Sequence, residues 1–213
     1  MDYKKILEDA KKDRMEEAVN TAAKMLLRQD IDEITMNDIA KECGIGVASL
    51  YRYFKTKSVI VIKAGALMWS QVKGLFDGVF ECDYYKEKSG IDQIKELMKV
   101  FKVLYSSHKD FLRFIDSFDR FVIKEKIAQE ELEEYERSVM DFFPLFESAY
   151  KNGCEDGTTR EDVDFKTLYI CVTHALMLMS EKFARGDVFM GESENAEMEM
   201  DCLIELAINR IKK

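Results

Sequence analysis

The chain is poor in residues that interrupt regular structure. One proline and 10 glycines in 213 residues are too few turn-formers for a β-sandwich, a barrel, collagen or a low-complexity linker. Histidine is scarcer still. His108 and His174 stand far apart, and neither has a glutamate three residues before it, so the Glu-x-x-His di-iron and His-Glu-x-x-His zinc patterns are missing. The five cysteines, at 43, 82, 154, 171 and 202, form no Cys-x-x-Cys pair and are odd in number. That excludes a disulfide framework or zinc ribbon and fits a reducing, cytoplasmic setting. No phosphate-cradling glycine loop and no Gly-x-Ser-x-Gly elbow occurs. No enzyme chemistry, metal or cofactor is therefore expected. Apolar runs such as Leu176–Met179 fall far short of the roughly 20 residues of a membrane helix. The charged stretch Met1–Ala10 lacks the apolar core of a signal peptide. No membrane partner is expected.

What is present is helix periodicity almost throughout. Met15, Ala18, Val19, Ala22, Ala23, Leu26 and Leu27 step by three and four along a first helix of about 6–28, so they share a face. Thr35, with Asp38 three residues on, reads as an N-cap with a capping-box variant. It opens a short helix over 36–43, ended by Gly44 in the place of a left-handed C-cap. A second short helix spans about 47–53. Thr56 caps a longer one over 57–80 containing the sole tryptophan, Trp69. Residues 81–90 read as a loop. Further helices are expected from Ser89 or Asp92 to about 107, and over about 111–123, 125–151 (kinked or divided by Pro144), 162–184 and 195–211, with a loop over 152–160. The acidic run 130–136 reads as a solvated face. The expectation is an all-α fold of about nine helices, with a head at 1–56 and a larger helical body at 57–213.

Charge is unevenly placed. Of the net −9, none falls in residues 1–60, where 11 Lys and Arg balance 11 Asp and Glu. Within 35–63, Lys41, Arg52, Lys55, Lys57 and Lys63 face only Asp38 and Glu42, a local basic surplus in an acidic chain.

The informative segment is 35–57, TMNDIAKECGIGVASLYRYFKTK. Two short helices joined by Gly44-Ile45-Gly46 make a helix-turn-helix. The second is too short to stand alone, so Leu50 and Phe54 must pack inward. Val47, Ala48, Ser49, Tyr51, Arg52 and Tyr53 are left partly free, a surface suited to a DNA major groove. Thr35, Ile39-Ala40, Gly44-Ile45, Leu50-Tyr51-Arg52-Tyr53-Phe54 and Thr56-Lys57 together resemble the signature of the tetracycline-repressor (TetR) family of bacterial one-component regulators.

That resemblance implies a three-helix DNA-binding head on a ligand-binding and dimerisation body. It implies phosphate contacts from Thr35, Tyr51 and Lys57, and base-edge or phosphate contacts from Val47, Ala48, Ser49 and Arg52. Gly46 and Tyr53 belong to the same surface. The family often has serine or threonine at the position of Gly46 and a polar or basic residue at that of Val47, so the cap here is poorer and polar readout is reduced.

The chain has 14 Phe and 12 Met overall, and those in the body make an adaptable interior suited to an apolar or amphipathic ligand, alongside ordinary core packing. The candidate pocket residues are Trp69, Phe76, Met98, Phe101, Phe114, Phe118, Phe143, Tyr150, His174 and Met177, on helices the resemblance assigns to the pocket. Residues 168–179 are apolar nearly all round and must be buried on two sides. With the last helix they would form a four-helix homodimer interface, for which Leu168, Val172, Leu176, Met179, Ile204 and Ile208 are the candidates. Cys171 and Cys202 read as small buried hydrophobes. The functional expectation is a dimeric repressor released from a roughly palindromic operator by a small effector. The alternative is a helical interaction or adaptor protein that has lost specific DNA binding.

Overall fold

The computed structural model describes residues 3–139, 142–187 and 190–213. Its helices are α1 (Tyr3–Leu26), α2 (Met36–Glu42), α3 (Val47–Phe54), α4 (Lys57–Glu81), α5 (Asp83–Lys86), α6 (Gly90–Met98), α7 (Val100–Ser107), α8 (Lys109–Glu125), α9 (Gln129–Ser138), α10 (Phe143–Glu155), α11 (Phe165–Arg185) and α12 (Ala196–Ile211). A 3₁₀ turn, Ile31–Glu33, precedes α2. Among the described residues the β-type pairing is one isolated bridge, Thr159 to Lys212.

Several expected boundaries shift. The loop expected over 81–90 contains α5. The helix expected over 92–107 is divided at Lys99, whose N–H is shared among the carbonyls of Lys95, Glu96 and Leu97. The helix expected over 125–151 is two helices. Pro144 sits in the first turn of α10, where its missing N–H costs nothing. That helix then runs into the stretch read as a loop, as far as Glu155. By length and composition α4 is apolar enough to cross a membrane, although its apolar runs are broken by Lys63, Ser70, Gln71 and Lys73. Ile60, Val61, Ala64, Met68, Trp69 and Val72 are nevertheless buried within the protein, as in a core helix.

The chain forms two compact units, Met1–Gly74 with Phe114–Met140, and Leu75–Arg113 with Asp141–Lys213. Because α4 and α8 are each continuous, this packing boundary falls elsewhere than the 56/57 division expected on functional grounds. In the first unit, Ala18, Ala22, Ala23 and Leu26 of α1 meet a core of Ile39, Ala40, Leu50 and Phe54. The turn Ile31–Glu33 is tied to α8: Ser117 Oγ accepts the Ile31 N–H at 3.4 Å, and Lys124 and Arg120 pair with Asp32 and Asp30 at 2.8 and 3.4 Å. In the second unit, α6 crosses α10 closely, α11 packs on α7 and α12, and Tyr105 meets Phe183 edge-on at 6.1 Å.

The start of α2 shows how local chemistry sets the head. Thr35 Oγ1 accepts the Asp38 N–H at 3.2 Å, and Asp38 Oδ2 accepts the Thr35 N–H at 2.9 Å and its hydroxyl at 2.5 Å. These bonds from Thr35 hold the Asp38 carboxyl below the ordinary carboxylate range. A depressed acid stabilises above its unfolded value and loses that contribution as pH falls through the folded one. By removing the N-cap, Thr35→Ala should cost about 1 kcal/mol in denaturant melts at neutral pH. The penalty should shrink once the pH drops below the carboxylate range.

Candidate nucleic-acid interface

The head is built from a glycine turn upward. Gly44 adopts φ +65°, a left-handed conformation that side chains resist, and its N–H bonds the Lys41 carbonyl at 3.1 Å. Gly46 then starts α3 without a side-chain cap. Leu50 and Phe54 are fully buried, which fixes the rotation of α3. Gly46, Val47, Ala48, Tyr51 and Arg52 are exposed, and Ser49 and Tyr53 are half-buried. The expected recognition side chains thus lie on a single outward face.

That face is internally ordered. Arg52 donates to Ser49 Oγ at 3.4 Å and stands 5.5 Å from the centre of the Tyr53 ring. Hydrogen bonds from Arg52 and from Arg14 of α1 lower the Tyr53 phenol from its ordinary value. The end of α3 is thereby flanked by two guanidinium groups. The arrangement supplies donors, a phenol and small apolar side chains to base edges and phosphates.

Two expected phosphate contacts are otherwise engaged here. The Thr35 hydroxyl is committed to Asp38. Lys57 is half-buried. Its ammonium donates to the Ile31 carbonyl and lies 5.7 Å from the Phe121 ring centre, and burial lowers its pKa despite nearby Asp32. Lys57, expected to contact the DNA backbone, braces the Ile31–Glu33 turn here. Lys55, just past the last turn of α3, is exposed and left-handed at φ 60°.

The ten candidate pocket residues are divided between the two units. Trp69, Phe114 and Phe118 are buried in the first unit, where Phe114 and Phe118 pair at 5.6 Å. Tyr135, which sequence placed on a solvated face, fills their midst: Phe118 stacks on it at 4.2 Å, and the Trp69 indole N–H donates to its hydroxyl at 2.9 Å. In the second unit Phe76 stacks on Phe80 and Phe101 meets Phe142. Met98 is buried and Met177 half-buried. Phe143 and Tyr150 share a cleft of about 540 Å³ with Glu147, Lys151, Cys154, Glu155, Phe165 and Lys166. His174 is exposed, one turn from Ile170 and Leu178 on the outer face of α11, so it does not line an internal pocket.

The interface candidates need a similar correction. Val172, Leu176, Ile204 and Ile208 are buried against their own chain, and Leu168 and Met179 are half-buried. The free apolar faces belong to their neighbours: Ile170 and Leu178 on α11, and Met198 and Leu206 on α12. Cys171 and Cys202, expected to be buried, are exposed on those faces. A helix apolar all round shows that two faces are covered without showing which one its own chain takes.

The family model described as bacterial regulatory proteins, tetR family, matches residues 18–64. An HTH-type transcriptional regulator of Staphylococcus aureus (strain USA300) is 46% identical over 50 residues, 24% of this chain and 26% of the relative. The match thus spans about a quarter of that protein's length. Among solved structures, the ketosteroid transcriptional regulator KstR2 of Mycobacterium tuberculosis superposes with a TM-score of 0.61 at 16% identity, covering 94% of this chain and 95% of that one. A transcriptional regulator from Saccharomonospora viridis, solved in complex with choline, gives 0.66 at 17% identity over 95% and 99%. A TetR transcription regulator from Haloarcula marismortui gives 0.66 at 15% over 95% and 100%. At such identities these structures speak for the fold, and the segment 18–64 speaks for the head. Residues 18–64 thus match the bacterial regulatory proteins, tetR family, and the chain as a whole shares the fold of these solved regulators.

Proposed function

We propose that the protein is a homodimeric transcriptional repressor that binds a roughly palindromic operator through α3 and is released by a small apolar or amphipathic effector. The observation that carries this reading is the outward face of α3. Val47, Ala48, Tyr51 and Arg52 are exposed on a helix whose other side is fixed by buried Leu50 and Phe54, inside the segment matched by the family model. Two copies of one head would read half-sites about one helical turn, or roughly 34 Å, apart. Helix α4 begins beside the head at Lys57 and is continuous through Trp69 to Glu81, so an effector that moved α4 would move α3. The choline found with the Saccharomonospora protein supports a small-molecule input in this fold without naming the effector here.

The test is a footprint on DNA upstream of the protein's own gene. A protected, two-fold symmetric site is the expected result. Binding that ignores sequence would leave a helical interaction protein as the better account. Tyr51→Phe and Arg52→Ala should each weaken operator binding by about 1 kcal/mol or more, as lost phosphate or base contacts do. Both positions are exposed, so melting temperatures should not move. Undiminished affinity in both variants would remove α3 from the interface.

A further inference from the structure

The short acidic helix α9 covers the aromatic cluster of the first unit, and its Tyr135 fits that cluster as a guest fits a site. The phenol ring stacks on Phe118 at 4.2 Å with 22° between planes, and its hydroxyl accepts the Trp69 indole N–H at 2.9 Å. Room for the ring comes from Gly65 in the interior of α4, where glycine is a poor helix former. A Cβ there would lie 2.8 Å from Tyr135 Cε2 and 3.2 Å from Phe114 Cζ. Among the described residues, the helix carrying this ring has few ties. Leu132 is its buried residue, and a partly exposed ion pair, Lys63 to Glu134 at 2.5 Å, adds little net stability. Glu134 and Ser138, either side of Tyr135 in the chain, line an open cleft of about 970 Å³ with Lys63, Ala66 and Leu67. The wall covering the slot is thus also the wall of a solvent-accessible cleft.

We propose that the slot formed by Gly65, Trp69, Phe114 and Phe118 is a binding site for a small uncharged aromatic molecule bearing an oxygen acceptor, a phenol or an aryl carbonyl, and that Tyr135 is its internal occupant, displaced when the ligand enters. The chemistry follows from the lining. The indole N–H is a donor only, so the guest must bring an acceptor, and the flanking rings select a flat apolar body. The proposal rests on the effector-controlled reading above and gives the effector its chemical class.

The probe is p-cresol, which has the shape of a tyrosine side chain, added to the full-length protein and followed by calorimetry and by the fluorescence of Trp69. Wild type should bind it with a change in emission. Tyr135→Ala should bind about tenfold more tightly or better, because the internal competitor no longer taxes the open state. Toluene, which lacks the acceptor, should bind the same variant at least about tenfold more weakly, having no partner for the indole N–H. If Tyr135→Ala fails to fold, Tyr135→Phe keeps the ring, loses the bond to Trp69, and should still bind p-cresol more tightly than wild type. Absence of binding to wild type, equal affinity of wild type and variants, or equal binding of toluene would overturn the proposal. Binding that leaves operator affinity unchanged would keep the site and overturn the effector reading instead.

Discussion

A glutamate at Leu178 or Leu206 should leave the protein folded and turn the proposed dimer into monomers, whereas a glutamate at Leu176 or Ile204 should unfold it. The two pairs lie on opposite faces of the same two helices. Leu176 and Ile204 are 0% and 1% exposed within one chain, while Leu178 and Leu206 are 65% and 63% exposed. A charge at the inner pair has no partner and costs several kcal/mol of the fold. At the outer pair it is solvated in the monomer and desolvated only when a second copy covers it. Ile170, His174 and Leu178 recur every fourth residue on α11, as do Met198, Cys202 and Leu206 on α12, giving each helix one outward stripe. Sedimentation equilibrium with circular dichroism separates the outcomes. A wild-type protein monomeric at micromolar concentration would end the dimer proposal. Outer-face variants that unfold would contradict the exposure on which it rests.

Gly90→Ala should be the most destabilising conservative change in the second unit. A methyl group on Gly90 would lie 2.0 Å from the Gly153 nitrogen, 2.3 Å from its Cα and 2.6 Å from the Ala149 carbonyl oxygen. These are backbone atoms of α10, so no side chain can swing away. The Gly90 N–H also donates to Asp156 Oδ2 at 2.7 Å and the Ile91 N–H to Thr158 Oγ1 at 3.3 Å, so separating α6 from α10 strains those bonds as well. Overpacking of this kind costs about 3 kcal/mol or more, visible as a clear fall in the denaturation midpoint. Gly74→Ala in α4 is the control: nothing lies within 4 Å of its added carbon, and alanine is the better helix former, so stability should not fall.

How much of this was legible in the sequence depended on whether the signal was local. The capping box at Thr35 and Asp38, the left-handed turn at Gly44 and the inward pair Leu50 and Phe54 are written in adjacent residues, and the head follows from them. The break at Lys99 has no proline or glycine to mark it. The outward stripes of α11 and α12 were misassigned because a helix apolar on two sides does not say which side its own chain covers. Tyr135 was hidden by its neighbours: five glutamates between 130 and 136 describe one face of α9, and the tyrosine belongs to the other. Lys57 matched a signature position, yet the Ile31 carbonyl, 26 residues away in the chain, takes its ammonium. Such pairings arise only once the helices have packed.

The central claim is that α3 and the residues beside it grip DNA. Operator affinity measured across a salt series tests it most directly, with wild type, Arg52→Ala and Lys55→Ala side by side. The account predicts a steep linear fall of log affinity with log salt for wild type. It predicts a shallower slope, by about one ion, for Lys55→Ala as an exposed ammonium is withdrawn from the phosphates, and weaker binding for Arg52→Ala. A salt-independent affinity, or three proteins with the same slope and strength, would contradict it.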